Sequence, residues 1–204
     1  DFSTAISLSP NSPSSINSRG LAYEKQGRLD EAVQDFSRAI ELDPGNAIFL
    51  HNRGLVLRNM GKYEDAVRDY TLALKLDPKS VSAYENRGYS YRKLGNFEKA
   101  VSDYTKALNL DGSRIKTLNN RAFCYARSGM YAEAVRIFFR LQLFFTFYTS
   151  HTHTHIYIYT FHRLRTTQMS FDLIRRIAMH IIIVVYLMTR KAISRKPLQI
   201  LRKF

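Results

Sequence analysis

The sequence predicts an all-α fold, a right-handed α-solenoid of stacked antiparallel helix pairs, and two observations lead to this prediction. A phrase of 34 residues recurs along the first two thirds of the chain, so that the Asn-Arg-Gly of residues 52–54 returns at residues 86–88. Within each copy, apolar and small residues return at intervals of three and four, which is helical spacing. Self-similarity on this scale is typical of solenoids, in which each unit buries its apolar face against its neighbours.

The copies divide the chain into consecutive units. Full copies are expected at residues 13–46, 47–80 and 81–114, and a partial fourth copy at residues 115–136. Residues 1–12 match the second helix of a preceding copy whose first helix is absent. We therefore expect the chain to be a fragment of a longer protein.

The first helix of each copy keeps small or apolar residues at positions 4, 8 and 11, which share one face. Position 8 is always small: Gly20, Gly54, Gly88 and Ala122. Position 15 is always glycine: Gly27, Gly61, Gly95 and Gly129. Glycine takes the left-handed conformation without steric cost, so position 15 is predicted to end the first helix.

The second helix carries alanine at position 20 and an aromatic residue at position 24. The aromatic residues are Phe36, Tyr70, Tyr104 and Phe138. Small residues at positions 8 and 20 let the two backbones approach closely, and the aromatic ring fills the space beside them. Arginine at position 7 also recurs with aspartate at position 23. The pattern allows either a charge-assisted pair between the helices or two solvated side chains.

This length and this pattern of small and aromatic residues resemble the tetratricopeptide repeat, over about Asp1 to Arg136. The resemblance implies a non-catalytic protein-protein interaction scaffold. It also implies that the second face of each first helix lines a concave groove that binds a peptide. On that face the predicted peptide-binding residues are Asn52, Asn86, Asn120, Leu55, Tyr89, Phe123, Arg58, Arg92 and Arg127.

The residue types on this face indicate what the partner would carry. Asparagine amides can hold the backbone of an extended peptide, the apolar row can accept side chains, and the arginines favour carboxylates. We therefore expect an extended or helical segment with apolar and acidic residues. The face could instead be filled from within, by the second helix of an absent repeat or by a neighbouring domain.

Two alternatives follow from the family resemblance. One is a co-chaperone-like adaptor for acidic C-termini, which in this family uses a clamp of lysine, asparagine and arginine residues. Of that pattern the chain keeps the middle asparagine, Asn52 or Asn86, and in the second register Lys116. The other alternative is a recruitment arm of an enzyme whose catalytic domain lies outside this fragment.

Residues 137–204 form a low-complexity basic and aromatic tail that loses the repeat pattern. They contain no Gly, Asn or Glu, and Asp172 is their only acidic residue. The stretch at residues 151–160 can be spelled as a CA dinucleotide run passing into a TA run, and Val135-Arg136 as a splice donor. We interpret the tail as translated non-coding sequence, non-native and poorly ordered.

The charge of the chain follows the same division. The net charge of +14 separates into 20 basic and 16 acidic residues up to Arg136, and 11 basic residues and one acidic residue beyond it. Because the basic excess lies in the tail, the sequence argues against nucleic-acid binding by the repeats. An apolar run at residues 177–188 is too short to span a membrane, and it argues against a membrane protein.

The repeats show no catalytic grouping, and we predict no enzyme activity and no cofactor. Their carboxylates are dispersed, and His51 is their only histidine. Three alternating histidines at residues 151–155 lie in the tail, and no metal is assigned to them. The single cysteine, Cys124, is predicted to be core, and the absence of disulfides fits a cytoplasmic location. The oligomeric state cannot be read from these residues.

Overall fold

A computed structural model of the chain describes residues 12–137, and they are helical throughout apart from short connections. The helices are α1 Pro13–Lys25, α2 Leu29–Leu42, α3 Ala47–Asn59, α4 Tyr63–Leu76, α5 Val81–Lys93, α6 Phe97–Leu110 and α7 Ile115–Arg127. A further helix, α8, occupies 131–137. Residues 12–137 contain no strand. The predicted helix at residues 1–12 and the predicted tail at residues 137–204 lie outside the described residues. Residues 12 and 137 are the exceptions.

The chain divides into two compact units between Thr117 and Leu118. In the first unit, α1 packs against α2, α3 against α4, and α5 against α6. The pairs stack in sequence order, since α2 also packs against α3 and α4 against α5. This arrangement confirms the predicted all-α stack of helix pairs.

The ends of the first helices follow the local sequence. Ser12, Asn46 and Ser80 cap α1, α3 and α5 by accepting a hydrogen bond from a backbone N–H of the first turn. After α3, Gly61 has a φ of 80°, and Lys62 N donates to Leu57 O at 2.9 Å. The predicted glycine stop is thereby confirmed, because this is the left-handed C-terminal motif that leaves glycine unstrained.

The two helices of a pair meet where the sequence places its small residues. A Cβ atom at Gly54 would lie 3.0 Å from Tyr70 Cε1, and one at Gly20 would lie 2.8 Å from Phe36 Cε1. The same contact recurs between Gly88 and Tyr104. These rings are fully buried, so the glycine notch and the aromatic ring together form the core of each pair.

A partly buried ion pair also ties the two helices of each of the three pairs in the first unit, and we call it the clip. The clips are Arg19–Asp35, Arg53–Asp69 and Arg87–Asp103. Each is bidentate, with distances such as 2.8 Å and 2.7 Å from the Arg53 guanidinium to the two Asp69 oxygens. The paired alternative left open by the sequence is therefore confirmed.

The clips also connect successive pairs. Arg53 Nη1 donates to Ser37 Oγ of α2 at 3.1 Å, and Arg87 Nη1 donates to Thr71 Oγ1 of α4 at 3.1 Å. The hydrogen bonds that Arg53 donates to Asp69, with a smaller Coulombic contribution, raise the pKa of Arg53 despite its partial burial. The clip therefore holds successive helix pairs together. Its arginine is already paired with the aspartate and is not available to a partner.

Candidate functional site

The first helices α1, α3 and α5 present a second face formed by positions 2, 5, 6, 9, 12 and 13 of each copy, which we call the first-helix face. These helices also contact one another directly, α1 with α3 and α3 with α5. Asn52 Nδ2 donates to Asn17 Oδ1 at 2.9 Å, and Asn86 Nδ2 lies 3.5 Å from His51 Nε2. The asparagines at position 6 therefore bond to position 5 of the preceding first helix, while each amide keeps further donor capacity.

Arg58 extends from the last turn of α3 across to α5. Its Nη1 donates to Asn86 Oδ1 at 2.6 Å, and its Nη2 donates to Asn59 Oδ1 at 3.2 Å. Both acceptors are neutral amides. Among residues 12–137, no carboxylate lies within ion-pair distance of Arg58. The charge of Arg58 is therefore held in place without being neutralised, unlike that of the clip arginines.

Tyr89 on α5 brings three cations together. Arg92 Cζ lies 4.9 Å from the ring centroid, Arg58 Cζ 5.3 Å and Lys93 Nζ 5.7 Å. Cations within about 6 Å of an aromatic centroid are attracted by its quadrupole. We call Arg58, Tyr89, Arg92 and Lys93 the cationic cluster. It gives this part of the first-helix face a positive charge over an aromatic surface.

His51 on α3 is half-buried. Its ring meets the Tyr70 ring edge-on, with centroids 5.5 Å apart. Burial, and secondarily the charge of Arg58, lower the pKa of His51 below its ordinary value. Neutral His51 can accept a hydrogen bond at Nε2, and Asn86 Nδ2 is the donor that faces it.

Six of the nine predicted binding residues lie in the first unit. The structure brings Arg58, Asn86, Tyr89 and Arg92 together, whereas Asn52 is bonded to Asn17 further along the face. Leu55 is half-buried on α3. Asn120, Phe123 and Arg127 belong to the second unit, where the first two are half-buried and Arg127 is exposed.

Sequence reasoning did not assign roles to His51 or Asn17, which are the acceptors of the two amide contacts. A signal was present, because His51 and Asn86 are separated by 35 residues, as are Asn17 and Asn52. That spacing is one repeat plus one residue. Each contact joins position 5 of one copy to position 6 of the next. An alignment of the copies compares the same position in each, so it does not show contacts between different positions.

Across residues 12–137, no group of three or more His, Cys, Asp or Glu side chains is placed to hold a metal ion. None of the helices in this described stretch is both long and apolar enough to cross a membrane.

Comparison with known families gives overlapping matches across the described repeats. Two models described as tetratricopeptide repeat match residues 13–46 and 81–113, and residues 36–68, and a model described as TPR repeat matches residues 54–94. No curated protein sequence matches the chain at a significant level. With the stacked helix pairs, these matches define the class of protein: the chain belongs to the tetratricopeptide repeat proteins.

Solved structures show the same fold. The first TPR of Spaghetti (RPAP3), bound to the HSP90 peptide SRMEEVD, is 28% identical, with a TM-score of 0.54 over 55% of this chain and 89% of that chain. The Arabidopsis OM64 TPR domain is 26% identical, with a TM-score of 0.54 over 55% of this chain and 93% of its own. YrrB, described as a TPR protein with an unusual peptide-binding site, is 21% identical with a TM-score of 0.62, over 67% and 71% of the two chains. At that identity, YrrB supports the fold alone.

Proposed function

We propose that this chain is a non-catalytic protein-interaction scaffold that binds a peptide segment carrying acidic and apolar residues on the first-helix face. The observation that carries the proposal is the cationic cluster around Tyr89, in which Arg58 bonds neutral amides instead of a carboxylate. An arginine in this state can form a charge-assisted pair with an incoming anion without first breaking an internal ion pair.

The asparagine amides supply the second part of the proposed interaction. Asn52 and Asn86 use one N–H each in the contacts to Asn17 and His51. A side-chain amide has two N–H donors, so each retains one for a peptide carbonyl. The half-buried Leu55 and Tyr89 offer apolar surface beside them. Asn120, Phe123 and Arg127 are proposed to offer the same types of contact within the fourth copy.

The comparisons support binding of a peptide in general. The RPAP3 domain is bound to a peptide that contains two glutamates and ends in aspartate. This favours an acidic partner for the present chain.

The experiment uses the full chain and a fluorescent peptide of alternating leucine and glutamate, with a matched peptide that has glutamine in place of glutamate. We expect the glutamate peptide to bind about tenfold or more tightly at low salt, since a charge-assisted contact at a partly buried site is worth about 1.5–3 kcal/mol. Added salt should reduce the difference. Equal affinity for the two peptides would contradict an acidic partner, and no binding of either would contradict the scaffold proposal for this face.

Arginine variants localise the interaction. Arg58→Gln removes a charge from the cationic cluster, whereas Arg68→Gln removes one from an exposed arginine of α4 that pairs with Asp65. We expect the first variant to lose most of the preference for glutamate and the second to retain it. Far-UV circular dichroism of both variants checks that helix content is unchanged.

The second candidate function is a co-chaperone-like adaptor for acidic C-termini. The bound HSP90 peptide of the RPAP3 domain favours it. Against it, the chain has leucine and tyrosine at position 9, in Leu21, Leu55 and Tyr89, where the clamp pattern carries asparagine. A peptide with a free C-terminal carboxylate and its amidated form separate the two candidates, because a clamp loses affinity on amidation and the side-chain site proposed above does not.

A further inference from the structure

The two amide contacts between first helices join equivalent positions of the repeat, at 2.9 Å and 3.5 Å, and differ in chemistry. Asn52 donates to Asn17 Oδ1, while Asn86 faces His51 Nε2. An amide oxygen is a permanent acceptor. A histidine ring nitrogen accepts only when it is unprotonated, and it becomes a donor in the imidazolium ion. The second contact can therefore be reversed by a proton, whereas the first cannot.

Asn86 links His51 to the cationic cluster. Its Nδ2 faces His51, and its Oδ1 accepts from Arg58 Nη1 at 2.6 Å. When His51 is protonated, its N–H points at the N–H of Asn86, which is repulsive. A half-turn of the amide restores a hydrogen bond to His51, but it then presents Nδ2 to the Arg58 donor. Protonation of His51 and the Arg58–Asn86 hydrogen bond are therefore incompatible.

We propose that a carboxylate of the partner peptide binds to Arg58 beside Tyr89, and that it binds together with a proton on His51. This inference rests on the proposed function and specifies both its anion subsite and its regulation. Arg58, released from Asn86, presents its planar donors to the carboxylate. The carboxylate in turn places a negative charge near the imidazolium, which lowers the cost of holding a proton there.

The other groups around His51 are compatible with this coupling. Arg58 on the same helix is the charge that acts on it. From α4 it meets Tyr70, whose hydroxyl stays protonated because burial raises its pKa. From α5 it meets the uncharged Asn86. Glu24 of α1 and Asp69 of α4 act electrostatically on Tyr70, with Arg58 opposing them.

The sign of the pH dependence follows from these groups. In the free protein, burial and Arg58 keep the pKa of His51 below its ordinary value. A bound carboxylate raises this pKa, since an opposite charge within about 4–6 Å shifts a pKa by 1–3 units. Binding then takes up a proton. By linkage the affinity increases as the pH falls from the pKa of the complex to that of the free protein.

The test measures the affinity of the full chain for the leucine and glutamate peptide from about pH 7.5 to about pH 5.5, a range in which glutamate stays ionised. We expect the wild-type chain to bind about three- to tenfold more tightly at the lower pH. His51→Asn places a permanent acceptor at this position, as Asn17 does in the preceding contact. We expect this variant to show a flat profile, which also controls for the five histidines elsewhere in the sequence.

Arg58→Gln should lose both the preference for glutamate and the pH dependence, while Arg68→Gln keeps both. His51→Gln also carries a permanent acceptor and replaces the asparagine variant if the latter loses helix content. The inference is overturned if the asparagine variant keeps the wild-type pH profile, or if Arg58→Gln keeps the pH dependence. In either case a retained preference for glutamate would leave the proposed function standing, whereas absence of peptide binding at every pH would remove both.

Discussion

Removal of the Asp69 carboxylate tests the clip in the middle of the stack. Asp69 retains only 5% of its side-chain surface, and its two oxygens hold Arg53 at 2.7 Å and 2.8 Å. The substitution Asp69→Ala leaves the Arg53 guanidinium without its counter-ion between α3 and α4. Because an uncompensated buried charge is costly, this should destabilise the fold strongly.

The magnitude follows from the exposure of the two partners. Breaking a fully buried pair costs about 3–5 kcal/mol. Arg53 keeps 24% of its side chain exposed and a hydrogen bond to Ser37, so part of the charge remains solvated or paired. We therefore expect Asp69→Ala to lower the free energy of unfolding by about 2–3 kcal/mol.

Asp65→Ala is the matched control. Asp65 lies one turn earlier on α4, pairs with Arg68, and both side chains are well exposed. Such a pair is worth about 0–1 kcal/mol, and the gain in helix propensity from alanine is similar in the two variants. The difference between the variants therefore reports the burial of the clip.

Urea unfolding of the full chain, followed by far-UV circular dichroism, measures these free energies. A third variant combines Asp69→Ala with Arg53→Met, which removes both charges and should recover part of the loss. The reasoning is refuted if Asp69→Ala is no more destabilised than Asp65→Ala. It is also refuted if the double variant is as unstable as the single one, because the stranded charge would then not be the cause.

Four further expectations follow from the contacts. Gly54→Ala should cost about 1–2 kcal/mol in urea unfolding, because its Cβ would lie 3.0 Å from Tyr70 Cε1, while Gly45→Ala, with Asp43 Oδ1 at 3.6 Å, should be nearly neutral. Tyr70→Phe should be neutral or stabilising by up to about 1 kcal/mol, since no residue of 12–137 bonds its buried hydroxyl and Phe36 holds the equivalent position; a clear loss in the same assay would contradict this. The pKa of His51 is lower in the folded chain than its ordinary value of 6.5, so the contribution of neutral His51 to stability is complete above pH 6.5 and is lost as the pH falls below it. The free energy of unfolding of the wild-type chain should therefore decrease more than that of His51→Asn between about pH 7 and pH 5. Cys124 is fully buried, so a thiol reagent should react with it slowly in buffer and rapidly in denaturant.

The helix pairs could be predicted from the sequence because each copy repeats the same packing contact. The glycine at position 8 and the ring at position 24 recur at a fixed interval, and the structure shows Gly54 against Tyr70 as it shows Gly20 against Phe36. The packing surface is wider than predicted, however. Val56 and Ser90 at position 10 are fully buried as Cys124 is, although the sequence predicted the burial of Cys124 alone at that position.

The clips were recognisable as candidates but could not be decided from the sequence. The spacing of Arg53 and Asp69 by 16 residues is compatible both with a contact across the helix pair and with two solvated side chains. What decides between them is desolvation, which depends on the neighbouring pair. The hydroxyl of Ser37 that completes the Arg53 site comes from the preceding copy, so the pattern within one copy does not contain it.

The sequence predicted which residue types form the first-helix face, but it did not predict which of them bond to one another. The reason lies in position 5. There the three full copies carry Asn17, His51 and Glu85, which differ in charge and in proton affinity. Asn17 and His51 face the next asparagine, whereas Glu85 accepts from Thr117 Oγ1 and lies 3.5 Å from Arg114 Nη1. Positions at which the copies agree hold the stack together. The capacity to distinguish partners must therefore lie where they differ, which a search for the shared repeat averages away.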